Sequence, residues 1–221
     1  MNFTRLVTLG RILTALIAVS LLAGCLTSSN QFYDEKDIVQ DSQFTGEFTS
    51  ADLGLAVTVS KDGESVGRYL IRLTEGGGTS DYRATLFKLH ESVFVDVMPK
   101  NERNLFENYK EGAPTASGLL KYASHDGTMS SSKNLHVVFK VSISAKGIEC
   151  FGAKKFEDSS NPIKQDSKLK FHANGDNMVV DEATESLRSF ISGYAGTNWS
   201  TLFQSGGLKL IRTAAGKLEA K

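Results

Sequence analysis

The chain has 221 residues, with 25 lysines and arginines balanced by 25 aspartates and glutamates, three prolines and two cysteines. Zero formal charge gives none of the basic excess that nucleic-acid binding calls for, and two cysteines exclude a disulfide-dense mini-scaffold. An apolar share of 40%, before 20 glycines are added, fits one folded domain with short appendages rather than a disordered chain.

The first 24 residues read as an export signal. Arg5 and Arg11 make a positive start, and no acidic residue precedes Asp34. Ile12 to Leu22 is apolar apart from Thr14 and Ser20. As a helix such a run spans roughly 16 Å, about half of the hydrocarbon core, which suits a signal h-region and not a permanent membrane span. It ends in Leu22-Ala23-Gly24-Cys25, where small residues let the backbone enter a peptidase groove. The tetrapeptide resembles the lipobox of bacterial lipoproteins, L-[AS]-[GA]-C, in every position. That resemblance implies signal cleavage between Gly24 and Cys25, a diacylglycerol on the Cys25 thiol and an acyl chain such as palmitate on its new amino group. Two or three chains anchor stably, where one holds only marginally. The resemblance further implies a lipid-anchored place in the cell envelope. Leu26, standing where Asp tends to retain lipoproteins at the inner membrane, resembles the outer-membrane sorting pattern of diderm bacteria. Cleavage removes Arg5, Arg11 and no acid, so 25 against 25 becomes 23 against 25 and the mature chain carries −2.

Residues 25–43 are mostly polar without sustained periodicity, and read as a lipidated tether; docking of Phe32 and Tyr33 on the domain is the alternative. A β-rich domain is expected over 44–212. Leu55, Val57 and Val59 alternate with Ala56, Thr58 and Ser60, and Lys61-Asp62-Gly63 marks a turn. Tyr69, Ile71 and Leu73 continue the pattern to Gly76-Gly77-Gly78, with further strands at 81–89 and 92–98 before Pro99. Residues 99–133 form a long excursion, of a length that marks a lid or a disordered segment. In 135–144 the apolar Leu135, Val137, Phe139, Val141 and Ile143 share one face. His136, Lys140 and Ser142 share the other, with Val138 as the exception, a pattern that predicts an antiparallel sheet. Short strands follow at 148–151, 169–173 and 178–180. Asp181 is the expected N-cap of a helix whose apolar face holds Ala183, Leu187, Phe190, Ile191 and Tyr194. A last strand, 208–212, precedes a polar tail, 213–221.

Strand runs joined by turns predict a mainly β fold: an antiparallel barrel or sandwich with one C-terminal helix. The order of strands, helix and short last strand resembles the lipocalin-like (calycin) architecture. Gly46-Glu47-Phe48 stands where those barrels carry G-x-W, with Phe for Trp. Ala84–Leu89, Phe94–Pro99 and Thr184–Phe190 also resemble a recurrent kind of bacterial envelope protein, which brings no activity with it.

No catalytic constellation is visible. G-x-S-x-G is absent, and Ser130-Ser131-Ser132-Lys133 lacks the K-[TS]-G that penicillin-recognising enzymes need. His90, His125, His136 and His172 show no paired ligand spacing, so no metal or other cofactor is expected. His136 and His172 fall on polar strand faces, where solvated imidazoles are the plain expectation. Gly76-Gly77-Gly78 lacks the Lys-Ser/Thr and helix of a phosphate loop. Cys150 reads as a small buried hydrophobe. Asp96, flanked by Val95 and Val97, is a buried acid if its face is interior, as a hydrogen-bond hub or a functional group. The functional expectation is a non-catalytic binding or structural module, holding a small apolar ligand or another envelope protein. The alternative is an enzyme on a β scaffold, using Asp96 and the 99–133 loop.

Overall fold

A computed structural model describes residues 26–50, 52–75, 78–100, 135–154, 169–174, 177–195 and 199–213, with backbone alone at 171–174 and 177–178. Eleven strands form one sheet: β1 (Leu26–Ser28), β2 (Gly46–Ser50), β3 (Leu55–Lys61), β4 (Arg68–Glu75), β5 (Gly78–Leu89), β6 (Ser92–Pro99), β7 (His136–Ser144), β8 (Gly147–Phe151), β9 (Phe171–Asn174), β10 (Asn177–Val180) and β11 (Leu208–Arg212). Eight of them, β2 to β8 and β11, close into a mainly antiparallel barrel. Of the two architectures expected from the sequence, the barrel is the one adopted.

β2 to β6 pair as a meander; β3 alternates, while β5 and β6 bury both faces because a core lies on each side of them. Gly63 and Gly67 supply positive φ between β3 and β4. His90 (φ 52°) supplies it in the two-residue turn between β5 and β6, which favours left-handed backbone. β6 then pairs with β7, and β8 with β11, which returns to β2 and leaves the ring no free edge. Gly147 lets the start of β8 pass tight against β11, where a Cβ would strike the Leu210 carbonyl.

The wall separates two cores. Inward residues such as Phe48, Val57, Tyr69, Leu86, Val141 and Ile148 form the lumen core. The second core lies outside the wall, over Phe87, Phe94, Val138 and Phe151. It is covered by Leu26, Phe32 and Tyr33 and by the C-terminal helix α1 (Thr184–Tyr194), which buries Leu187, Phe190 and Ile191. A short second helix, α2 (Trp199–Leu202), completes the cover. Among the described residues no helix is long and apolar enough to cross a membrane.

Two expectations change. Residues 26–43 are a strap on the barrel rather than a tether: the alternative, in which Phe32 and Tyr33 dock on the domain, is the one adopted. Leu26, Thr27 and Ser28 pair on both edges, with β7 and β10, and Phe32 is fully buried. Each large apolar side chain so buried contributes about 1.5–3 kcal/mol, which an extended tether forgoes. Val138 breaks the polar pattern of β7 because its face lies under this strap. The cap of α1 is Ala183, and Asp181 instead accepts a bond from the Ser29 hydroxyl at 3.0 Å, tying helix approach to strap. The lipobox with Gly24 and Cys25, the excursion from 101 to 133 and the tail after Thr213 lie outside the described residues.

Candidate functional site

The two ends of the barrel differ. Short turns, 62–67, 90–91 and 145–146, gather at one end. There the 3-10 turn Ser42–Phe44 drops Phe44 against Tyr69, with ring centroids 4.9 Å apart and planes at 76°. Tyr69 holds the strap in turn, since its hydroxyl accepts the Asp41 N–H at 3.1 Å. Together with Phe48 and Leu86 these rings plug that end.

The longer connections, after β6 and after β8, leave from the opposite end. Here Leu73, Val97, Phe139 and Leu208 face inward by alternation and register and are partly buried, as are Val93 and Ile143 at the turn end. An apolar lumen inside a rigid wall is the kind of interior in which small apolar ligands are held. Cys150 belongs to this lining. Burial pushes its thiol up to about 12, with the Glu149 charge adding to the effect, so it stays a neutral, weakly polar wall atom.

A second polar cluster lies outside the wall, beneath the strap. Asp96 faces outward from β6, not into the lumen, and is nonetheless buried. Register pairs it with Thr85 on β5 and Val138 on β7, which sets His136 diagonally beside it. His136 Nδ1 lies 2.9 and 3.0 Å from the two Asp96 oxygens. The Phe32 N–H also donates to this carboxylate. Burial raises the Asp96 carboxyl above the usual range, and the His136 and Phe32 bonds pull the other way. Tyr33 stacks at 5.1 Å on Phe87, bonds with Thr85 through its hydroxyl, and has its own ionisation pushed up by burial. The expectation of a solvated His136 is therefore corrected. Alternation assigns its face, and the strap covers that face.

The sequence reading missed the salt link that clamps the strap. Arg188 of α1 donates to both oxygens of Asp37, with Nη2 at 2.8 Å, and holds that carboxyl below the usual range. Its only sequence signal is an arginine beside the apolar stripe of the helix. Among the described residues no three His, Cys, Asp or Glu side chains gather as a metal site. Cys25 and Gly24 precede the described residues.

Compared with known proteins, the chain matches no protein-family model, no curated protein and no solved structure.

Proposed function

We propose that the protein is a lipid-anchored envelope module whose barrel binds a small apolar ligand without chemistry. The observation that carries the binding reading is the apolar lumen itself, whose inward residues Leu73, Val97, Phe139 and Leu208 are only partly buried. Support for the anchor is the lipobox ending at Cys25, and Leu26 favours the outer membrane in a diderm cell.

Native mass spectrometry of the purified protein tests the binding reading. A retained small apolar molecule is expected, and a bare chain under gentle ionisation, with no uptake of added fatty acids, argues for a purely structural role. Labelling with a radioactive fatty acid tests the anchor: wild type incorporates label and Cys25→Ser does not. Equal labelling of the two overturns it.

A second reading, an enzyme using Asp96 and the 99–133 loop, draws support from the Asp96–His136 pair. A carboxylate on Nδ1 orients an imidazole and leaves Nε2 for proton transfer. A panel of ester and phosphoester substrates decides it. Turnover lost in both Asp96→Asn and His136→Gln supports the enzyme, and none in wild type removes it.

A further inference from the structure

β1 begins at Leu26, the residue that follows Cys25 in sequence. Leu26, Thr27 and Ser28 are at most 1% exposed, and their backbones pair on both edges. Consecutive Cα atoms are about 3.8 Å apart. With Cys25 acylated, the reading on which this inference rests, the lipid hangs from the barrel wall with no spacer between.

The place on the wall is defined by β7. One edge of β7 pairs with β8 through Lys140–Ser144 and with β1 through His136–Val138. Leu26 therefore enters at the seam where β8 ends and β1 begins. Outward from this seam stands Lys140, with its Nζ 4.2 Å from the Trp199 ring centroid and 5.3 Å from that of Phe151. Trp199 packs on Phe151 at 5.4 Å and on the outer core that contains Leu26. Both Lys140 and Trp199 stay partly exposed. An indole with an apolar body and a polar N–H, beside a lysine that reaches its ammonium past an apolar stem, suits the boundary between acyl chains and water.

We infer that the mature protein is mounted flush on the membrane by this side wall, with Trp199 and Lys140 at the phospholipid headgroups, rather than held away from it. The acyl chains supply the affinity and the wall sets the orientation. The barrel axis then lies along the bilayer surface instead of pointing into it.

Trp199 is the chain's one tryptophan, so its emission reports the distance without a label. The full lipidated chain is reconstituted into phosphatidylethanolamine–phosphatidylglycerol vesicles, with and without a nitroxide on the headgroup. The protein is expected to float with the vesicles, and the nitroxide to reduce Trp199 emission by about half. A variant with about ten Gly/Ser residues between Cys25 and Leu26, a coil of roughly 17 Å reach, should float equally and lose most of that quenching. Flotation of wild type without quenching overturns the flush mounting and leaves the anchor standing. Failure of wild type to float overturns the anchor, and the inference with it. Equal quenching in the spacer variant overturns the claim that the short attachment sets the height.

Discussion

His136 and Asp96 sit diagonally across neighbouring strands, with Nδ1 2.9 Å from one carboxylate oxygen and 3.0 Å from the other. The pair lies on the outer side of a barrel wall, and the strap residues 32 and 33 close over it. The free value of the Asp96 carboxyl is 3.8 and folding raises it. A raised carboxyl stabilises fully below 3.8, and that contribution is lost as pH rises through the folded value. Asp96→Asn, which never ionises, is therefore expected to compare worst with wild type in acid and to gain on it as pH rises. Thermal melts of both proteins from about pH 3.5 to about 8 check this. A constant Tm difference across that range would count against it.

Asp37 behaves in the opposite sense. Its carboxyl is depressed from 3.8, first by the Arg188 hydrogen bonds. A depressed carboxyl stabilises above 3.8, and the contribution is lost as pH falls through the folded value. Arg188→Ala leaves Asp37 covered and unclamped from α1, at a cost of about 2 kcal/mol near neutral pH. Urea melts should show that cost shrinking in acid. A cost that grows in acid would contradict the assignment.

Gly147→Ala should disturb barrel closure. Its φ is +158° and an added Cβ would strike the backbone of Leu210 on β11. Gly54 has φ +62° and nothing within 4 Å of such a Cβ. Gly54→Ala thus carries the conformational cost alone, about 1 kcal/mol, and Gly147→Ala should exceed it by about 1–3 kcal/mol. Parallel melts of the two variants decide the order.

With Cys25 acylated, Cys150 is the remaining thiol of the two. Burial pushes it up to about 12, so little thiolate exists near pH 8. Its reaction with a maleimide should run on the order of a hundredfold or more slower in the folded chain than in urea. A bound apolar ligand should slow it again. Folded and unfolded rates that match would place Cys150 outside the lumen.

Much of the barrel was legible because β3 and β4 alternate along their length and β7 does so except at Val138. The helix was legible from the spacing of Leu187, Phe190 and Ile191. The strap was not. Leu26–Ser28 is three residues long, too short for any period, and its strand character comes from β7 and β10 lying on either side. Asp96 and His136 were each assigned to a face, but period two does not say which face is covered. Val138, the apolar residue out of place on a polar face, was the signal that something lay over it. The pairing of Asp96 with His136 also needed the register of β6 on β7, and register is a property of two strands together.

The position of β1 also orders events in time. Its partners are β7 and, further on, β10, and the bond from Asn30 to Glu182 spans 152 residues. The first strand to leave the ribosome thus has nothing to pair with until most of the chain has followed it, and contacts closing so long a loop form late. Until then Leu26, Thr27 and Ser28 lack both strands whose edges they bond in the finished barrel.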